Sequence, residues 1–248
     1  MMCLRRIILV VFVCFCSLAN AEKVVKLSSL DWPPYTGSEL TDQGVSSAVV
    51  RAAFEAMDYK VEVVFYPWAR AVDMAKEGKE GVMGYFPEYY SADIEKEFTY
   101  SNPIGSGPLG FAQNVAKPVN WTVLDDLAAM TIGVVRDYVN TEEFDIRVAQ
   151  KKQNVQVVTS DSQNLQKVAA GRIPLAVIDK NVMNYLLQND AALANIRTQV
   201  EFNPTLLEEK QLFVCFNQSA AGKQLAEDFA AGLKKIDIST IEARYSQK

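Results

Sequence analysis

"VEVVFYPWARAVDMAKEGKEGVMGYF", residues 61–86, decides how this chain folds. "VEVVFY" (61–66) is β-branched and aromatic, the composition of a strand. "WARAVDMAKEG" (68–78) has helical spacing and stops at Gly78, a residue suited to the left-handed turn that ends helices. "GVMGYF" (81–86) reads as a short buried strand. Strand, helix and strand in so short a span make a βαβ unit, with parallel strands and a helix on the sheet face.

Working outward, the alternation continues in both directions. "VVKLSSL" (24–30) is a strand, and "SSAVVRAAFEAM" (46–57) is a helix with Ser46 as its expected N-cap. Together these make βαβαβ. The order then recurs. "TIGVV" (131–135) is a strand, and "NTEEFDIRVAQKK" (140–152) is a helix opened by an Asn cap, with acids in its first turn. "VQVV" (155–158) is a strand, "SQNLQKVAAG" (162–171) a helix closed by Gly171, and "LAVI" (175–178) a strand. Two such units predict an α/β protein of two parallel-sheet lobes, each with flanking helices. The links are "SNPIGSGPLGFAQN" (101–114) outward and "EEKQLFVCFN" (208–217) back. The tail "AGKQLAEDFAAGLKKI" (221–236) is an amphipathic helix expected to return to the first lobe.

The ends of the chain read differently. "MMCLRR" is a basic start, "IILVVFVCFC" an unbroken apolar run of ten, and "SLANA" ends in small residues at the −3 and −1 positions. That pattern is a secretory signal over residues 1–21 with cleavage after Ala21, which predicts an exported protein. Its apolar core is shorter than the roughly 20 residues that span a bilayer. The leader carries Arg5, Arg6 and no acid, so the remainder is more acidic than the −5 of the whole chain. An acidic chain without a basic cluster is not expected to bind nucleic acid. The leader also takes Cys3, Cys14 and Cys16, leaving Cys215 alone in "QLFVCFN" as an expected buried structural thiol. There is no histidine. That excludes Ser-His-Asp and Cys-His catalysis and the common His-based zinc sites. No cofactor or metal site is expected.

In open α/β sheets ligands gather at the carboxyl ends of the strands. Here those ends are "DWPPY" (31–35), "PWAR" (67–70), "PEYY" (87–90), "RDY" (136–138), "TSD" (159–161) and "DK" (179–180). Trp and Tyr side chains with a few charges, converging on one edge, describe a small-molecule site. Pro33 and Pro34 stiffen the first loop, which presents Asp31, Trp32 and Tyr35. Asp161 reads as an α-helix N-cap. Asp179 reads either as a cap of the helix beginning "KNVMNYLL" or as a cleft acid. Glu88 reads as a solvated loop acid or, on an enzyme, as a cleft acid.

At this point the chain resembles family 3 periplasmic solute-binding proteins. The resemblance rests on "DWPPYTG" near the expected mature start, "FTYSNPI" before the first crossing and "AAGRIPLAVID" late in the second lobe. "FYPWARAVDMAKEGKEG" is similar to a branch with a Pro-Trp-x-Arg helix start. The resemblance implies a type II periplasmic-binding-protein fold of two lobes joined by two hinge crossings, near 110–114 and 210–216. Lobe 1 would be 22–112 plus 213–248, and lobe 2 113–212. It implies a monomer that captures a small polar solute, an amino acid or related amine, for a membrane ABC permease or receptor. It implies a binding protein and not an enzyme, although relatives on this scaffold include dehydratases.

Residue by residue, the resemblance assigns Asp31, Trp32 and Tyr35 to the first ligand loop and Tyr66 to the aromatic cover of the ligand. It assigns Gly84, Tyr85 and Phe86 to the strand end that meets an amino group, Asp179 to the acid that pairs with it, and "RDYVNT" (136–141) to an anion-holding helix start. Trp68 and Tyr138 add aromatic surface. One departure stands out: no arginine occurs between Arg70 and Arg136, where the family places its carboxylate clamp, and Phe86 replaces a threonine. Arg70 or Arg136 is the expected replacement clamp.

Overall fold

The computed structural model describes residues 23–245. The expected leader and its cleavage point after Ala21 lie outside the described residues. β1 (Lys23–Ser29), α1 (Val45–Glu55), β2 (Tyr59–Phe65), α2 (Trp68–Lys76) and β3 (Val82–Tyr89) form the first βαβαβ unit. α3 (Ala92–Glu95) and β4 (Phe98–Tyr100) lead into the long strand β5 (Gly105–Asn114). β6 (Thr131–Val135), α4 (Glu142–Ala149), β7 (Asn154–Val158), α5 (Asp161–Ala169) and β8 (Leu175–Asp179) form the second unit. α6 (Lys180–Asn189), β9 (Val200–Phe202), the long strand β10 (Glu208–Asn217), α7 (Ala220–Leu233) and α8 (Ile238–Ala243) complete the chain.

The strands run in one path, β2-β1-β3-β10-β5-β8-β6-β7, with β4 on β10 and β9 on β5. Pairing inside each unit is parallel. β5 and β10 are the antiparallel crossings between lobes. Gly105–Leu109 of β5 pairs with β10, and Leu109–Gln113 then pairs with β8 in the second lobe.

Helices cover both faces of each lobe, as parallel sheets require. On lobe 1, Phe54 of α1 meets Phe229 of α7 at 4.9 Å and Phe216 of β10 at 6.2 Å. The amphipathic tail therefore packs on the first lobe. On the opposite face, Met74 and Ala75 of α2 pack with Tyr85 and Cys215. On lobe 2, Leu165, Val168, Met183 and Leu187 from α5 and α6 bury Ala176 and Ile178 of β8, while Phe144 of α4 lies 6.4 Å from Phe111. Each fully buried Phe contributes about 1.5–3 kcal/mol over its exposed state. Cys215 is a buried free thiol, as its apolar surroundings suggested.

Several local expectations shift by one or a few residues. Gly44, not Ser46, is the N-cap of α1, and its φ of 97° is a conformation that L side chains rarely adopt. Thr141, not Asn140, caps α4 through the amide of Phe144, while Asn140 bonds to Asp145. Ser160 caps α5 in place of Asp161. The largest difference is β3, which continues past Phe86 to Tyr89. Pro87 lacks the N–H a ladder needs. The register of β10 against β3 slips between Phe213 and Cys215, and that irregularity accommodates the proline.

Candidate functional site

The carboxyl ends of β1, β2, β6, β7 and β8 all open on the space between the lobes. The first loop, after β1, is fastened on itself. Trp32 N–H donates to Thr36 O at 2.8 Å, and Asp31 Oδ1 accepts from the backbone and hydroxyl of Ser38 at 2.7 and 3.0 Å. Asp31 is exposed and shapes the loop. Trp32 and Tyr35 are buried and stacked, centroids 4.8 Å apart. Edges of Tyr89 and Tyr138 meet Trp32 at 5.9 and 6.5 Å, and Trp68 meets Tyr138 at 6.1 Å. Trp32, Trp68, Tyr89 and Tyr138 thus form an aromatic box from both lobes.

Polar contacts cross between the lobes at two places. On the hinge side, Tyr35 and Tyr89 hydroxyls donate to Asp179 Oδ2 at 3.1 and 3.4 Å. Asp179 Oδ1 accepts the backbone amides of Asn181 and Val182 at 2.7 and 3.1 Å, which caps α6. Asn181 Nδ2 donates to the Tyr35 hydroxyl at 2.9 Å. Asp179 is therefore both a helix cap and a clasp between lobes. Burial pushes its carboxyl up to about 6, and the donors around it pull the other way. Gly107 of β5 makes room for the cluster, because a Cβ there would overlap both the Tyr35 hydroxyl and the Asp179 carboxylate.

On the mouth side, the Trp68 indole N–H donates to the carbonyl of Asp137 at 3.0 Å. The Trp32 side chain lies beside Asp161, the buried first residue of α5, and favours its charged form. Burial first, and then the charge of Asp179, push the Asp161 carboxyl up to about 7.

Two cavities share this region. A cleft of about 520 Å³ is lined from lobe 1 by Asp31, Trp32, Tyr66 and Trp68, and from lobe 2 by Arg136, Tyr138 and Asp161. A deeper chamber of about 30 Å³ is lined by Trp32, Trp68, Glu88, Tyr89 and Tyr138. A chamber of that size has room for a water molecule and not for an amino acid.

Among the residues the sequence singled out, Asp31, Trp32, Tyr66, Trp68, Arg136 and Tyr138 come together on the cleft. Tyr35 and Asp179 stand behind its wall in the hinge-side cluster. Arg70 is exposed and stacks over the Tyr66 ring at 4.6 Å, outside both cavity linings. The structure corrects the placement of Gly84, Tyr85 and Phe86. They lie inside the sheet, with Tyr85 and Phe86 fully buried. A Cβ on Gly84 would sit 2.6 Å from the Cys215 carbonyl. The strand end belongs instead to Glu88 and Tyr89, because β3 runs on beside β10.

Glu88 is also corrected. It is a buried acid and not a solvated one, accepting from the Tyr89 amide at 2.8 Å and the Tyr85 hydroxyl at 3.1 Å. Burial pushes it up to about 8. Tyr89, Asp161 and Lys210 complete the region and were not assigned from sequence as site residues. Lys210, buried on β10, places its ammonium 5.4 Å from the Tyr89 ring. The only signal for Asp161 was its position just after a strand.

No family model matches the sequence, and no curated protein matches it. Solved structures do. A histidine kinase sensor domain with similarity to periplasmic binding proteins superimposes with a TM-score of 0.75 at 19% identity, over 90% of this chain and 96% of that one. An ancestral arginine-binding protein bound to arginine gives 0.70 at 16%, over 89% and 97%. An ancestral amino-acid-binding protein, described as a precursor of cyclohexadienyl dehydratase, gives 0.68 at 15%, over 90% and 94%. These likenesses show the fold, a two-lobed periplasmic-binding-protein arrangement. No helix among the described residues is long and apolar enough to cross a membrane.

Proposed function

We propose that this chain is a periplasmic solute-binding protein of the family 3 type, which traps a small polar solute between its lobes. The observation that carries the reading is the cleft of about 520 Å³ with walls from both lobes. Its volume lies within the roughly 300–1,000 Å³ range of small-molecule sites. Five aromatic side chains, the buried carboxyl of Asp161, the exposed carboxyls of Asp31 and Asp137 and the exposed guanidinium of Arg136 line it. This set suits an amino acid or related amine. The amine end meets Asp161, the aromatic rings of Trp32, Tyr66, Trp68 and Tyr138 cover the body, and Arg136 meets a carboxylate at the open end. Arg136 fits the clamp better than Arg70, whose guanidinium lies over Tyr66.

Asp179 is a poorer partner for the ligand's ammonium than the resemblance implies, since four donors already engage it. The lobes, 22–112 with 213–248 and 113–212, close as rigid bodies about β5 and β10. The protein is exported, monomeric and serves an ABC permease. The likeness to a kinase sensor domain supports a second reading, in which the same cleft reports its solute to a membrane receptor. An enzyme is the weaker reading. Glu88 has the raised pKa of an acid catalyst, but its chamber of about 30 Å³ admits no substrate.

The test is a thermal-shift screen of the protein against amino acids, polyamines, sugars and organic acids. A ligand that stabilises the protein, is recovered unchanged and binds Trp68→Ala about tenfold or more weakly is the expected result. Stabilisation by no solute class, or turnover of the ligand, would sink the proposal.

A further inference from the structure

Lobe 2 carries a second groove, away from the aromatic box. We propose that this groove and the edge of β7 beside it dock an extended acidic segment of a partner protein, by addition of a strand to the sheet. Two independent observations lead here.

The first is the edge itself. β7 ends the strand order and pairs with β6 alone. Edge strands are normally blunted by charge, proline or a covering element. β2, at the opposite end of the sheet, follows that rule: "YKVEVVF" carries Lys60 and Glu62, and Glu62 pairs with Lys26 at 3.3 Å. "NVQVV" of β7 has neither charge nor proline, and Val157 is 49% exposed. Such an edge is a template for another strand.

The second is the charge beside it. A groove of about 550 Å³ runs between the end of β7 and α5, with Val157, Val158 and Thr159 in its lining. Arg136, Lys167 and Arg172 also line it, and no carboxylate does. None of these three cations forms an ion pair among the described residues. The whole chain holds 30 acidic and 25 basic residues, so a groove whose charged lining residues are all unpaired cations runs against its charge balance. It selects a negative partner.

The two observations together favour a strand over a small anion. The groove is floored by β7 residues, so an occupant lies alongside the ladder groups of the strand. Strand addition takes its affinity from main-chain hydrogen bonds and its specificity from alternate side chains. Acidic residues in every second position would meet Lys167 and Arg172. Arg136 lines this groove and the solute cleft alike. An occupant of one that engages Arg136 alters affinity at the other, reciprocally.

The experiment uses three probes: the peptide Glu-Val-Glu-Val-Glu-Val, its Lys-Val counterpart and citrate. Binding is read by anisotropy of labelled peptide at low and high salt, and by hydrogen exchange. The acidic peptide should bind about tenfold or more tightly than the basic one, weaken with salt and slow exchange at 154–158. The Lys167→Glu, Arg172→Glu double variant should lose about tenfold or more in peptide affinity and keep its melting temperature within about 2 °C. Citrate binding without protection of β7 would make this a small-anion site and overturn the proposal. So would equal binding of the two peptides, no binding of either, or an unaffected double variant.

Discussion

Asp179 and Asp161 each sit at the junction of a lobe 2 strand and the helix that follows, and both face the interlobe space. Their surroundings differ. Asp179 takes two backbone amides and two tyrosine hydroxyls, and it lines neither the cleft nor the chamber. Asp161 has the Trp32 indole beside it and lines the open cleft. Saturated acceptors hold structure together, whereas an acceptor with remaining capacity at a cavity wall is free to meet a ligand. The hinge side of the interlobe surface is built as a clasp, and the mouth side is the one we propose as the site.

The strongest way to break this distinction is Asp179→Ala. It removes a helix cap, worth about 0.5–2 kcal/mol, and leaves the buried Tyr89 hydroxyl without its acceptor, at about 1–3 kcal/mol, while Tyr35 keeps the Ser106 carbonyl at 3.4 Å. Urea unfolding should show a loss of about 2–5 kcal/mol. An unchanged midpoint would mean that the clasp contributes nothing. Gly107→Ala attacks the same cluster from the hinge strand. The new methyl displaces Tyr35 from Asp179, and overpacking of this kind costs about 1–3 kcal/mol. Small-angle scattering should also show a larger radius of gyration, because the displaced clasp opens the lobes. A variant as compact and stable as the parent would argue against the clasp.

A smaller effect sharpens the comparison through pH. Burial raises Asp179, Asp161 and Glu88 to about 6, 7 and 8. Each value lies above that of the unfolded chain, so between about pH 4 and pH 8 the folded state keeps protons that the unfolded state has released. These groups therefore make the protein less stable as pH rises through that window, and their contribution is level on either side of it. The urea midpoint should be lower at about pH 8 than at about pH 5. Asp161→Asn, which cannot ionise, should remove the part of this decline that falls between about pH 4 and pH 7. A midpoint that rises across the window, or an equally steep decline in Asp161→Asn, contradicts the assignment.

Much of the fold was legible because its signals are local. The β-branched and aromatic run in "VEVVFY", the helical period in "WARAVDMAKEG" and the punctuation at Gly78 and Gly171 lie within single elements. Both βαβαβ units and the two long crossing strands follow from them. The cleft was legible in part: Trp32, Tyr66, Trp68, Arg136 and Tyr138 follow strand ends, and the fold carries strand ends to one edge. Where the reading went astray, the cause lay elsewhere in the chain. β3 reaches Tyr89 because β10, more than a hundred residues later in sequence, offers it a partner. That extension buries Glu88 and draws Gly84, Tyr85 and Phe86 into the sheet. The caps of α1, α4 and α5 moved by one or two residues because Ser, Thr, Asn and Gly neighbours compete for the same position.

The sequence by itself determined the alternation of strands and helices, the parallel sheets and the aromatic character of the strand ends. Each depends on residue type and spacing within a window of about ten residues. Only the tertiary structure decided which acid is free. Asp179 meets Tyr35 across 144 residues and Tyr89 across 90. Asp161 meets Trp32 and is left facing the cleft. Two aspartates of the same intrinsic chemistry take different roles because desolvation and hydrogen bonding depend on what the fold brings alongside, and no local pattern records that.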